Sequence, residues 1–238
     1  MPIRPASALL VLLPILGACD DATLPSGSLI DGGTVTPIGQ EHAGGASYDD
    51  GVSTASGSCG FPSTPTGPFY VGVGPDFNAH AELCGACLLV KAQNGNALLA
   101  EVVTWGVVSA PNNIDLSRSA FDALFGAGAP MSPVTWAVAP CDRTDPIRYV
   151  FLTGANVDWT GLQVRNLRLP VAKLEVKSAR HAAFTELRRE DWNDFVDASG
   201  FGAGSFTLRV TAIDGQTIED TFPSFTPGGT LTSHAQFQ

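Results

Sequence analysis

Ser205-Phe-Thr-Leu-Arg-Val-Thr-Ala-Ile213, followed by Asp214-Gly215 and then Thr217-Ile-Glu-Asp-Thr221, is the stretch that reveals most about the fold of this 238-residue chain. Apolar and polar residues alternate along the first run, as they do when one face of a pleated strand meets a core and the other meets water. Asp-Gly tolerates the positive φ values of a tight hairpin turn, so the stretch predicts two antiparallel strands. The same cadence spreads outward from it. Ile147 to Leu152, Leu162 to Arg165, Val171 to Lys177, Ala183 to Leu187 and a terminal strand near Ala235 to Phe237 complete the pattern of a β-sandwich over residues 146–238.

Upstream, Cys141-Asp-Arg-Thr-Asp-Pro146 is a short polar hinge, and before it the pattern changes. Phe69 to Val73, Cys87 to Ala92, Ala97 to Thr104 and Val134 to Val138 are shorter apolar strands separated by turn residues. One helix interrupts them. In Ile114-Asp-Leu-Ser-Arg-Ser-Ala-Phe-Asp-Ala-Leu-Phe125 an apolar stripe runs through Leu116, Ala120, Phe121, Leu124 and Phe125, with Ser117 or Asp115 placed to cap the start. Residues 43–143 thus form a first module, and the length suits two domains of about 100 residues each.

The first residues carry a different message. Arg4 precedes Ala8-Leu-Leu-Val-Leu-Leu-Pro-Ile-Leu16, an apolar run too short to span a bilayer, and Gly17-Ala18-Cys19 follows. That order predicts an export signal over residues 1–18. Leu16-Gly-Ala-Cys19 resembles a lipoprotein lipobox, in which the cysteine is acylated and cleavage precedes it, so Cys19 is the expected lipid anchor. Residues 19–42, rich in Gly, Pro, Ser and Thr with no sustained apolar period, read as a flexible tether. The chain is then expected to face the periplasm or the cell exterior, touching a membrane only through the lipid.

Four further cysteines, Cys59, Cys84, Cys87 and Cys141, fall in the first module and fit two disulfides in an oxidising compartment. The zinc-like spacing Cys84-Gly-Ala-Cys87 lacks a second close pair, so no metal is expected. Three pairings are possible, and Cys59 with Cys87 plus Cys84 with Cys141 is the working expectation. The formal net charge is −10, with 4 basic and 13 acidic side chains in residues 1–145 but 9 and 10 in residues 146–238. Such a surface disfavours nucleic acid and anionic membranes and leaves a neutral partner.

Several segments acquire a joint meaning from their order: Gly45-Ala-Ser-Tyr-Asp-Asp50, Ser58-Cys-Gly-Phe61, Leu83-Cys-Gly-Ala-Cys87, Ile114-Asp-Leu-Ser117 and Pro133-Val-Thr-Trp136 leading to Ala139-Pro-Cys141. In the second module they continue with Trp159, Leu162-Gln-Val-Arg-Asn166, Leu169-Pro-Val-Ala-Lys-Leu-Glu175, Asp191-Trp-Asn193 and Leu208-Arg-Val-Thr211. Together they resemble the two-module bacterial expansins. The resemblance implies an all-β protein, a six-stranded double-psi β-barrel followed by an immunoglobulin-like carbohydrate-binding sandwich. It implies a monomer without cofactors that binds cellulose or a related β-glucan and loosens it without hydrolysis.

Site residues follow from the same resemblance. Trp159 and Trp192 match two of three aromatic positions that stack on sugar faces, and the third falls on Asp158. Ser47, Tyr48 and Asp115 match positions in a polar groove of the barrel, Asp115 being the aspartate shared with family 45 endoglucanases. The chain departs from the family at Val103-Thr-Trp-Gly-Val107, where Val-Thr-Asp-Leu-Tyr is usual, with Thr104 and Gly106 on the positions of its Asp and Tyr. Trp105 is either a replacement sugar contact or simply an outward or core-filling ring.

An inverting glycosidase needs two carboxyl groups about 6.5–9.5 Å apart. Asp50 is the one candidate by motif to accompany Asp115, while Glu101 reads as a solvated strand residue. His42, His80, His181 and His234 are scattered. The expectation is therefore non-enzymatic. Alternatives are a binding lipoprotein that has lost loosening activity, a family 45-like endoglucanase, and a peptidoglycan lytic transglycosylase of the lipid-anchored double-psi type.

Overall fold

The structure, a computed structural model, describes residues 29–31, 33–53, 57–61, 69–77, 79–106 and 110–238. The export signal and Cys19 lie outside the described residues. Six strands close a barrel: β1 (His42–Tyr48), β2 (Tyr70–Val73), β3 (Cys87–Ala92), β4 (Ala97–Trp105), β5 (Ile114–Leu116) and β6 (Ser132–Ala139), in the order β1-β5-β2-β4-β3-β6. β1 runs parallel to β5 and β2 parallel to β4, while the other neighbours are antiparallel. Closure leaves no free strand edge. The interior is filled by Ala46, Val71, Val73, Leu88, Val90, Leu98, Ala100, Val102, Ile114 and Leu116, all buried.

The helix α1 (Arg118–Phe125) packs Ala120, Phe121 and Leu124 on this core. It starts directly after Ser117, one of the two expected caps, and two residues beyond Leu116, the first member of the apolar stripe. Ile114-Asp-Leu alternates with period two and is drawn into the barrel as β5, so Asp115 sits on a strand and is not a helix cap. Ser117 occupies the N-cap position without a side-chain capping bond; its Oγ instead accepts from the Tyr70 N–H at 3.1 Å.

The second module has β7 (Arg148–Phe151), β8 (Thr160–Arg165), β9 (Val171–Lys177), β10 (Thr185–Glu186), β11 (Arg188–Arg189), β12 (Phe195–Asp197), β13 (Phe206–Ala212), β14 (Thr217–Phe222) and β15 (Thr230–Thr232). They form two sheets, β10-β9-β13-β14 and β11-β12-β8-β7-β15. β13 and β14 pair from Phe206↔Phe222 to Thr211↔Thr217 around the expected Asp-Gly turn, with Gly215 at φ +90°. Phe206, Leu208, Val210 and Ala212 point inward, as the alternation requires.

The terminal strand differs from expectation. Thr230–Thr232 pairs with β7, whereas the Ala235–Phe237 segment is held by side chains: Gln236 Nε2 donates to the Asp145 and Asn166 carbonyls at 2.6 and 2.7 Å, and Phe237 is buried. β12 is only three residues long, too short for its alternation to stand out.

Part of the expected tether is also packed. Ile30 N–H donates to the Ala97 carbonyl at 2.8 Å and Ile38 N–H to that of Val138 at 2.6 Å, while Ile30 and Val35 pack against Leu89, Ala97 and Ala139. Ile30 and Val35 thus dock on the barrel while Ile38 packs against the sandwich core, although these three isolated apolar residues produce no readable period.

The disulfides are Cys59–Cys84 and Cys87–Cys141, which overturns the expected pairing. β3 and β6 pair Cys87 with Ala139, which brings Cys141 to Cys87 with a Cα separation of 5.2 Å. Cys59 N–H donates to Val103 O and Gly85 N–H to Val102 O, so Cys59 and Cys84 meet beside the same end of β4.

Candidate polysaccharide-binding face

One row of paired residues crosses four barrel strands. Ser47 on β1 pairs with Asp115 on β5, Asp115 with Gly72 on β2, and Gly72 with Thr104 on β4. Paired residues share a face of a sheet, and their strand neighbours Ala46, Val71, Val73, Ile114, Leu116 and Val103 face the core. The row therefore lines a shallow trough whose floor at Gly72 has no side chain. Ser47 Oγ donates to Asp115 Oδ1. Burial pushes the Asp115 carboxyl above the ordinary aspartate range; the Ser47 bond pulls it down, and the negative charge of Asp49 raises it further.

Tyr48 marks one end of the trough, exposed, with the Arg118 guanidinium 3.9 Å from its ring centroid and Phe121 edge-on to it. Asp50 accepts two bonds from Arg118, at 2.8 and 3.2 Å, and that contact holds its carboxyl below the ordinary range. The carboxylate whose charge reaches Asp115 is that of Asp49, which the motif reading passed over. At the other end Thr104 is buried, and its Oγ1 accepts from the Ser58 N–H at 3.2 Å. Thr104 thus anchors the loop from Gly57 to Gly60.

That loop meets the sandwich. The outward face of β8 carries Gly161, Gln163 and Arg165, while Leu162 and Val164 fill the core. Gln163 Nε2 donates to the carbonyls of Gly60 and Trp192 at 3.3 and 3.4 Å, and Arg165 Nη2 donates to Gly60 O at 3.0 Å. The Trp192 indole is 55% exposed, and therefore not a core residue. Burial raises the neighbouring Asp194 carboxyl, opposed by hydrogen bonding from the Gln163 and Trp192 side chains. Trp159 is half-buried and lies across Gly161, where an added Cβ would come within 2.8 Å of its ring. Asp158 is exposed and paired with Arg180.

The two modules are fastened by more than this contact. Glu101 is buried, against the expectation of a solvated strand residue, and its Oε2 accepts from Arg143 Nη2 at 2.5 Å. Burial raises the Glu101 carboxyl, while Arg143 and then Arg165 oppose the rise. Nothing in a lone strand glutamate signals this, because Arg143 follows the last barrel strand by four residues and Arg165 comes from the sandwich. The polar segment expected as a hinge is tied down as well. Cys141 N–H donates to Arg168 O at 2.8 Å, and Asn166 Nδ2 to the Asp145 and Pro146 carbonyls at 2.8 and 2.9 Å.

The histidines take separate partners. His42 stacks on Trp136, and His80, His181 and His234 contact Asp191, Asp197 and Asp220. Cys84 and Cys87 are spent in different disulfides.

Comparison with known proteins places this geometry in a family. No family model matches the chain. It is 28% identical over 162 residues to Expansin-YoaJ of Bacillus subtilis (strain 168), covering 66% of this chain and 68% of that protein. It is 26% identical over 213 residues to Expansin-like protein 5 of Dictyostelium discoideum, covering 84% and 88%. It is 30% identical over 210 residues to Expansin-A32 of Oryza sativa subsp. japonica, covering 76% of each. Crystal structures of the Clavibacter michiganensis expansin, one without ligand and one of a variant in complex with cellohexaose, superpose with a TM-score of 0.74 at 24% identity over 84% of this chain and 98% of theirs. A six-stranded mixed barrel followed by a two-sheet module, with this order of motifs and these relatives, identifies the chain as a member of the expansin family.

Proposed function

We propose that the protein binds cellulose or a related β-glucan along a face running from the Asp115 trough to Trp159 and Trp192, and loosens contacts between polysaccharide chains without cleaving them. The observation that carries this reading is Gln163, whose amide touches both the barrel loop at Gly60 and the carbonyl of Trp192. One side chain thereby joins the loop at the end of the trough to the segment that carries the exposed Trp192 indole. Flat apolar sugar faces stack on rigid indoles at low entropic cost, and each such contact is worth about 1 kcal/mol. A relative of the same fold in complex with cellohexaose supports the choice of ligand class.

Hydrolysis is disfavoured by the neighbours of Asp115. Its carboxyl, raised by burial, would suit an acid, but Asp50, the second carboxyl that the motif offers, is clamped by Arg118. A filter-paper weakening assay with parallel measurement of reducing sugar tests the reading. Loosening without sugar release is expected; sugar release that disappears in Asp115→Asn would establish a hydrolase instead. A second reading, binding without loosening, draws on Thr104, which stands buried where the family has a carboxylate. It is the outcome if cellulose retains the protein yet no dose weakens paper.

The two disulfides suit an oxidising, extracytoplasmic setting. We further propose export by residues 1–18 and acylation of Cys19, with the barrel module at 43–143 and the sandwich at 146–238. Metabolic labelling with palmitate should mark the protein and fail in Cys19→Ser; equal labelling of both would rule the anchor out.

A further inference from the structure

Trp105 ends β4 half-buried, packed in part against the barrel core, and belongs neither to the trough row nor to the sandwich. Its indole N–H donates to the carbonyl of Asp191 at 3.0 Å, and Asp191 immediately precedes Trp192. Gly106 follows at φ +76°, a region that L side chains rarely enter, with its N–H on the Val73 carbonyl at 2.8 Å. The strand thus stops where the barrel meets the loop bearing Trp192. With its one polar atom bound, the surface that Trp105 leaves to solvent is aromatic carbon. The hydrogen bond also fixes the ring, so little rotamer freedom is left to lose when a ligand arrives.

We propose that Trp105 is an aromatic subsite at the junction of the two modules, stacking on a sugar ring of a glucan that extends from Trp159 and Trp192 toward the Asp115 trough. The inference deepens the polysaccharide-binding reading above and rests on it. A ligand long enough to leave the sandwich should feel Trp105, and one that fits on the sandwich alone should not.

Calorimetric titration of the full chain with cellotriose and with cellohexaose tests this. Trp105→Ala is expected to weaken cellohexaose binding about five-fold while leaving cellotriose within about two-fold of wild type, as loss of one stacked ring implies. Unchanged cellotriose binding doubles as the check that the variant is folded. Trp105→Phe keeps a ring but not the N–H, and it should retain cellohexaose affinity within about two-fold. The proposal is overturned if Trp105→Ala binds cellohexaose like wild type, if both ligands weaken equally, or if Trp105→Phe is as impaired as Trp105→Ala. The last result would give the role to the Asp191 hydrogen bond. Wild-type protein that binds neither oligosaccharide would sink the polysaccharide reading itself, and the subsite with it.

Discussion

Ser47 on β1 and Asp115 on β5 stand directly opposite one another in a parallel strand pair, and the serine hydroxyl donates to the carboxyl that burial has made reluctant to ionise. Because the folded protein raises the pKa of Asp115, ionising it there is harder than in the unfolded chain. Stability from this group is full below the unfolded pKa and declines as pH rises through the folded one.

Asp115→Asn should therefore be more stable than wild type at neutral pH, with the advantage vanishing near pH 3. Denaturant midpoints measured across that range check this. Ser47→Ala, which removes the bond that favours the charged form, should move the Asp115 titration further upward in an NMR experiment. A downward movement would contradict the assigned role of the hydroxyl.

Arg143→Ala would leave Glu101 buried without its ion-pair partner, and such losses cost about 3 kcal/mol or more. The sign with pH is determined by Glu101, whose carboxyl is already raised and would rise further. The loss should be largest at pH 7 and smaller near pH 4.5, where the acid can take up a proton. Urea unfolding at the two pH values decides it, and an equal loss at both would show that the charge of Glu101 is not the cause.

Gly161→Ala places a methyl against both Trp159 and Leu152, each 2.8 Å from the new atom. The ring must shift, so retention on cellulose should fall about five-fold even though no indole has been removed. Trp192→Ala should cause a similar fall with a stability loss of about 1 kcal/mol, from the indole's bond to Asp194, since the ring is otherwise exposed. Pull-down isotherms and thermal melts on the same samples separate the two effects.

Removing the Cys87–Cys141 bridge by double alanine substitution should cost about 4 kcal/mol, against about 3.5 for Cys59–Cys84, because the first closes a 54-residue separation and the second only 25. Peptide mapping without reduction should recover these two pairs; a Cys59–Cys87 peptide would refute the arrangement.

Much of the architecture was legible because alternation and turn chemistry are local. Ser205 to Thr221 announced its hairpin, and Cys87 to Ala92 and Val171 to Lys177 form strands at the boundaries their patterns predict. Ile114-Asp-Leu was absorbed into a helical stripe, since three alternating residues cannot be told from the first turn of a helix until β1 and β2 are found on either side. Trp192 entered as a candidate sugar contact only by resemblance, and its exposure was not legible, for an isolated tryptophan carries no mark of it. Asp49 and Asp50 are neighbours of the same type, and only the position of Arg118 distinguishes the clamped carboxylate from the one that acts on Asp115.

By itself the sequence determined the all-β character and the strand-and-turn cadence of the second module, because backbone periodicity and turn preference operate over a few residues. Tertiary structure alone decided which cysteines pair, that Glu101 is buried against Arg143, and that Trp105 reaches the loop of Trp192. Those outcomes depend on strand register and on the docking of distant segments, where a shift of one residue would bring different side chains together.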